Sequence, residues 1–385
     1  MSKKSYDVAV VGAGVFGAWT AHALRGAGLQ VLLVDAYGAA HARASSGGES
    51  RVIRAGYGAD EIYTRWALRT LPLGRELFER AAEPQLFQPT GVLWLAREGD
   101  ALVAQTFATL QKFHARVERL SRDELARRYA QFDFGATSWA MLEGDGGALV
   151  ARRAVQTVVR EALARGVDYE IASVAAPSGA GRRADSAETS GGGRLSAGQF
   201  VFACGAWLPK VFPDVLGGRV RPTRQEVFFF GAPAGDTRFR PPALPTWVDF
   251  GAEVYGIPDL EGRGVKLALD RHGAEFDPEA GARVTTVETL AEVRRYLAEH
   301  LPALRDAPVV ESRVCQYENT SNGDFLIDRH PDFENVLLVG GGSGHGFKHG
   351  PALGEYVARL PTEGGATEPR FALATKGGVQ HRTIF

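Results

Sequence analysis

The sequence predicts a two-part α/β protein, with nucleotide-type strand-loop-helix units at both ends of the chain enclosing an antiparallel β region. Three observations carry this. The chain opens as strand, Gly-rich turn, helix and strand; residues 219–250 and 254–269 alternate aromatic and aliphatic side chains; and residues 335–360 return to strand, Gly-rich turn and helix. Such an order fits a chain that leaves one domain and comes back to it. The expected division gives residues 1–83, 150–217 and 320–385 to a discontinuous nucleotide-binding domain, and residues 84–149 and 218–319 to a substrate domain.

The elements follow from local pattern. YDVAVVG, starting at Tyr6, is a short valine-rich run of the kind buried on both faces of a sheet. VFGAWTAHALRGAG has helical spacing and stops at Gly26 and Gly28, which suit a helix C-terminus. LQVLLVD is a second buried strand and ends in Asp35. A helical crossover between these strands implies parallel pairing. IYTRWALRTLPLGRELFERAA reads as helix and GVLWLA as strand, while ARRAVQTVVREALARG is an amphipathic helix leading into strand-like VDYEIASVAA. Residues 177–198, rich in Ser, Gly, Ala and charge, predict a mobile hairpin tip or loop. QFVFACGAW resumes a strand that ends at a Gly turn, and TTVETLAEVRRYLAEHL is helical.

Composition narrows the class. Hydrophobic residues make up 45% and charged residues 23% of 385 positions, the balance of a soluble globular protein. A formal charge of −1 offers no electrostatic handle for nucleic acid or an anionic membrane. Two cysteines, Cys204 and Cys315, cannot build a disulfide framework, and no CxxC or Cys/His cluster indicates zinc. The basic and apolar N-terminus is interrupted by Asp7 and continues as a β-α-β unit, so it reads as a folded element rather than a secretory signal. A cytoplasmic enzyme is expected.

Four motifs carry chemistry. GAGVFG places Gly12, Gly14 and Gly17 in the G-x-G-x-x-G spacing, where glycine permits a tight turn, close approach to a pyrophosphate and close helix packing. Alone the motif is weak, but here it follows a strand, opens a helix and is answered by Asp35 about 20 residues on, where an acid binds ribose hydroxyls. In GGESRVIRAGYG, Arg51 and Arg54 are three apart and would share one side of a helix or turn, and arginine forks suit carboxylates and phosphates. GGGSGHGFKHGPALGE implies close backbone approach to something flat or charged, with His345, Lys348 and His349 adding titratable groups. Lys266 in GVKLALD is a lone lysine on an apolar strand; it is either a solvated surface cation or a buried one beside the chemistry. Cys315, between arginine, glutamine and glutamate, is in unusual company for a structural thiol.

Together GAGVFG, GESRVIRAGYG, VCQYENTSNGDFLID and GSGHGFK, in this order over nearly the whole chain, resemble the monomeric sarcosine oxidase family of amine-oxidising flavoproteins, which includes N-methyltryptophan and pipecolate oxidases. The resemblance implies an FAD-binding Rossmann-like domain of the glutathione-reductase type and a substrate domain with a mixed or antiparallel sheet. It also implies FAD held covalently by a thioether from Cys315 to the 8α-methyl. Cofactor contacts are implied from Gly12, Gly14, Val15, Phe16, Gly17, Asp35 and Ala36; from Ser45, Ser46, Gly47 and Arg51; from Val174, Cys204, Gly205 and Trp207; and from Gly342, Gly344, His345, Gly346, Phe347 and Lys348. Arg54 and Lys348 are implied to clamp a substrate carboxylate, Tyr255 and Tyr317 to line its cavity, and Lys266 to assist oxygen reduction. The implied reaction moves a hydride equivalent from an amine N–CH bond to flavin; the imine hydrolyses, and oxygen becomes hydrogen peroxide. The competing reading is a dehydrogenase that passes electrons to a carrier.

One departure stands out. Sarcosine-type members carry a histidine four residues after the lysine; this chain has Asp270 there and His272 two residues later, so both are candidates for that role. An acid at that position favours a bulkier or more basic secondary amine than sarcosine. The expected partners are a small amine and oxygen, with no nucleic acid or membrane, and the expected state is a monomer.

Overall fold

A computed structural model of the chain describes residues 5–363 and 367–379. The ends of the expected nucleotide-binding domain, residues 1–4 and 380–385, and residues 364–366 lie outside the described residues.

A six-stranded sheet runs in the order Leu326–Arg329, Val336–Gly340, Ala197–Phe202, Tyr6–Val11, Val31–Asp35, Asp168–Ile171. Its neighbours are parallel except Leu326–Arg329, which is antiparallel to Val336–Gly340. The helices Val15–Gly26, Ala151–Ala164 and Gly350–Glu363 cover one face, where Val8, Val10, Leu33 and Val201 pack against Leu24, Val158 and Leu353. Both faces of these strands are apolar, and the unbroken valine and leucine runs follow from that.

An eight-stranded sheet takes the order Val309–Thr320, Val220–Phe230, Val265–Leu269, Val254–Ile257, Thr246–Asp249, Val92–Ala96, Trp139–Glu143, Val117–Ser121. The expected antiparallel pattern holds along most of it, with one exception: Thr246–Asp249 pairs parallel with Val92–Ala96, because it joins the sheet beside a strand from far earlier in the chain. Phe228, Phe230 and Leu267 on one face meet Val293 and Leu297 of helix Val287–His300. The opposite face is turned toward the cavities described below.

Residues 177–198 contain a small hairpin, Ala187–Glu188 with Arg194–Leu195, one of the two forms expected there. One local expectation changes. Arg51 lies on the strand Ser50–Ile53, which pairs with Gly147–Val150, so it is not on a helix or turn. Pro72 is accommodated inside helix Glu61–Arg80, whose N-terminus is capped by Asp60 through the Ile62 and Tyr63 amides. Among the described residues, no helix is long and apolar enough to cross a membrane.

Candidate active site

Two cavities meet beneath the eight-stranded sheet. The larger, about 580 Å³, runs along the ends of the six-stranded sheet, and the smaller, about 110 Å³, lies against the eight-stranded one. Ala44, Arg51, Cys315, Tyr317, Gly344 and Phe347 line both.

The larger cavity is built mainly from backbone. Strand Tyr6–Val11 ends at the glycine loop, and helix Val15–Gly26 begins directly after Gly14. A Cβ on Gly17 would stand 1.7 Å from the Gly12 carbonyl oxygen, so only glycine lets the helix return so close to the strand. At Gly14 the nearest atom to such a Cβ is Ser46 Oγ at 3.5 Å, so the space beyond it belongs to the cavity. Asp35 closes its strand, and its carboxylate accepts the Ala13 amide at 2.7 Å and the Tyr37 and Gly38 amides at 2.9 Å. Gly12, Val15, Phe16, Ala36, Ser45, Ser46, Val174, Cys204, Gly205, Trp207, Gly342 and Gly346 also line this space. Ser45 Oγ, Trp207 Nε1, Gln316 Nε2 and Glu318 Oε2, all from lining residues, are buried without a hydrogen-bond partner among the described residues.

Two expected cofactor contacts fall elsewhere. Gly17 lines neither cavity, because it is spent on the helix–strand approach; Gly47 packs on the chain, with a Cβ there only 2.0 Å from the His41 carbonyl oxygen. His345 and Lys348 line the smaller cavity, not the larger.

The smaller cavity is built from side chains, and strand alternation explains which ones. Cys315 pairs with Gln225, Arg313 with Val227, Phe229 with Lys266, and Ala268 with Tyr255. Successive side chains point to opposite faces, so Cys315, Tyr317, Lys266, Ala268 and Tyr255 share one face while Leu267 joins the core on the other. The lysine is therefore buried, at 2% exposure, and the solvated reading of Lys266 is excluded. Its Nζ donates to the Ser50 carbonyl oxygen at 2.9 Å and stands 5.4 Å from the Tyr255 ring centre. Burial first and Arg51 second hold it well below the usual lysine range. Asp270 and His272 follow the strand, and both reach this cavity.

Arg51 spans the junction. Its guanidinium donates toward Cys315 Sγ at 3.4 Å and lies 5.7 Å from the Phe347 ring. Arg54, just beyond the strand, is 7% exposed and caged by Tyr57, Trp94 and Phe250 at 4.8, 4.9 and 5.6 Å. Lys348 Nζ donates to Tyr57 Oη at 2.9 Å and to the His345 carbonyl oxygen at 3.0 Å. Burial, then Arg54, push Lys348 well below the usual lysine range, while Asp270 acts the other way. The positive charge of Arg54 acting on buried Lys348 favours an incoming anion. Tyr255 and Tyr317 are neutral phenols, both pushed up by burial. Gly344 takes φ +81° against the Tyr317 ring, where a Cβ would come within 2.8 Å.

Glu143 lies outside every sequence motif, and Tyr57 sits in GESRVIRAGYG without an assigned role. Glu143 is buried and accepts from the Ala55 amide and, at 3.3 Å, from Trp94 Nε1, fixing the turn that carries Arg54. Tyr57 meets His349 Nε2 at 2.7 Å and His345 Nδ1 at 3.2 Å. Both imidazoles are held well below their usual range by burial, with Lys348 next, and are neutral. The only signal for Glu143 was an acid ending an apolar strand.

The FAD dependent oxidoreductase family model matches residues 7–360. The chain belongs to that family. It is 31% identical over 377 residues to the monomeric sarcosine oxidase of Bacillus sp. (strain B-0618), covering 93% of each chain. It is also 30% identical over 356 residues to the N-methyl-L-tryptophan oxidase of Salmonella heidelberg (strain SL476), covering 92% of this chain and 94% of that one. In fold it is similar to the L-proline dehydrogenase from P. horikoshii, with a TM-score of 0.84 at 20% identity over 96% of this chain and 97% of that one. The family depends on FAD, and the larger cavity fits a dinucleotide of that kind: an open cradle at Gly14, an acid after the second strand and unpartnered buried donors among the described residues suit one.

Proposed function

We propose that this FAD-dependent oxidoreductase is an oxidase of a secondary amine bearing a carboxylate, an N-alkyl or cyclic amino acid. The product is an imine that water converts to an aldehyde or keto compound plus amine, while oxygen becomes hydrogen peroxide. The observation that carries the reading is the shared wall: Cys315, Arg51 and Tyr317 face the cofactor cavity on one side and the pocket of Arg54, Lys348 and Lys266 on the other.

Bound FAD supplies the two-electron acceptor for the amine C–H bond. The residues supply position and charge. Gly12, Gly14 and the amides opening helix Val15–Gly26 would hold the pyrophosphate, and Asp35 a ribose. Cys315 would be the covalent anchor, its sulfur 3.4 Å from the Arg51 guanidinium at the junction of the two cavities. Arg54 and Lys348 would receive the carboxylate, which relieves their mutual repulsion. Tyr255 and Tyr317 would wall the amine and exclude water. Lys266 would hold a proton where oxygen gains negative charge; burial and Arg51 make that proton weakly bound until an anion arrives. Asp270 adds a negative charge to the same pocket and favours an amine bulkier or more basic than sarcosine. A monomeric, cytoplasmic enzyme divided at residues 84–149 and 218–319 completes the proposal.

The test is anaerobic titration of the flavin with sarcosine, larger N-alkyl amino acids, proline, pipecolate and N-methyltryptophan, followed by air. Bleaching by one of these and fast recovery with peroxide is expected. Bleaching without recovery in air would replace the oxidase by a dehydrogenase; no bleaching would overturn the substrate class.

A further inference from the structure

Glu318 is a buried acid that the proposed reaction does not use. It is 7% exposed, on the strand Val309–Thr320, three residues past Cys315. Its side chain lies against the glycine turns that follow two strands of the six-stranded sheet. Oε2 is 4.0 Å from the place of a Cβ on Gly205 and 3.3 Å from that on Gly340, and the residue lines the larger cavity beside Gly205 and Gly342. One oxygen is satisfied, since Oε1 accepts the Gly342 amide at 3.3 Å. Among the described residues, Oε2 has no hydrogen-bond partner.

A buried carboxylate needs donors, and a buried carboxylic acid needs an acceptor. The titratable groups packed around Glu318 do not supply the first. Cys204, on the turn after Ala197–Phe202, has its thiol pushed up by burial and further by Asp35 and Glu318. Lys210, on the short helix Leu208–Val211, is held by Asp277 and Glu279 at 2.9 and 3.0 Å. On the neighbouring strand, Arg221 reaches Glu275 and Arg224 pairs with Glu226. A dinucleotide brings what a neutral acid lacks: phosphate and hydroxyl oxygens that accept, with negative charge that disfavours a carboxylate beside it.

We propose that Glu318 holds FAD as a neutral carboxylic acid, its Oε2–H donating to an oxygen of the cofactor. The inference rests on the larger cavity being the FAD site, not on the substrate. Burial raises the carboxyl to about 7, with the Gly341 and Gly342 amides pulling the other way. The raised value sets the sign: FAD affinity is full below that pH and weakens above it, by up to about tenfold per pH unit for one linked proton.

The experiment uses the full-length Cys315→Ala protein, in which FAD exchange is reversible, and reads the FAD dissociation constant by flavin fluorescence from about pH 5.5 to about pH 9. The expected profile is flat at low pH and rises above neutrality, and Glu318→Gln in the same background, which keeps a donor but cannot titrate, is flat throughout. Independently of any change at 318, calorimetry in two buffers of different ionisation enthalpy should show proton uptake on binding at about pH 7.5. A flat profile with Glu318 present, the same slope in Glu318→Gln, or no proton uptake overturns the proposal. Failure of both proteins to bind FAD at any pH overturns the cofactor site as well.

Discussion

The two cavities are built in opposite ways. The larger is shaped by backbone: glycines, helix-opening amides and the ends of parallel strands, with Asp35 already satisfied by three amides. The smaller is shaped by charge: Arg51, Arg54, Lys266, Lys348 and Asp270 converge from separated segments on a space of about 110 Å³. In a backbone cradle an added Cβ either clashes with the chain, as at Gly12 and Gly17, or takes up cavity space, as at Gly14, while few of its side chains do chemistry. A side-chain pocket keeps its shape when one member changes but loses a specific step. The contrast predicts that damage to the first removes the cofactor, and damage to the second leaves a yellow protein with altered kinetics.

Gly17→Ala should have the largest effect. A Cβ 1.7 Å from a backbone oxygen forces the helix off the strand, at a cost of about 3 kcal/mol or more, so the protein should lose flavin and melt earlier. Flavin content and Tm check it; normal values for both would break the comparison. Lys266→Met comes next. It should keep its flavin and its reduction by amine but slow reoxidation by oxygen by about 10²–10³-fold, measured by stopped flow. Arg54→Met should lower kcat/KM for carboxylate-bearing amines by about 10²-fold while leaving flavin content unchanged. A drop of the same size for an amine without a carboxylate would show that Arg54 does not read that group.

The smallest effect is a pH dependence. Lys266 is held well below the ordinary lysine range, so its proton is present at low pH and lost as pH rises through that lowered value. Reoxidation should therefore slow with rising pH at values below those at which a surface lysine titrates, and the slope should vanish in Lys266→Met. An unchanged slope would assign the titration to another group.

The same contrast decides what the sequence made legible. The glycine loop and Asp35 were readable because a backbone cradle imposes fixed spacing on one short stretch. Lys266 was readable only as a lone lysine on an apolar strand, and burial in the fold separated the buried lysine from a solvated one. The roles of Cys315, Arg54 and Lys348 came from resemblance, since residues 54, 315 and 348 meet only in three dimensions. Glu143 lies outside every motif, and Tyr57 and Glu318 lie inside two of them without a readable role, because their partners at residues 55, 94, 348 and 342 are set by tertiary packing. The glycines at 17 and 47 show the converse, with motif positions used for packing rather than for lining a cavity.

The central claim is that Cys315 stands at the junction of the cofactor and substrate cavities and carries the flavin. It is tested most directly by acid precipitation followed by mass spectrometry of the proteolysed pellet. The account predicts a yellow pellet, with the flavin mass on the one peptide containing Cys315 and none in a Cys315→Ala pellet. A colourless wild-type pellet, or flavin on a peptide lacking Cys315, would contradict it.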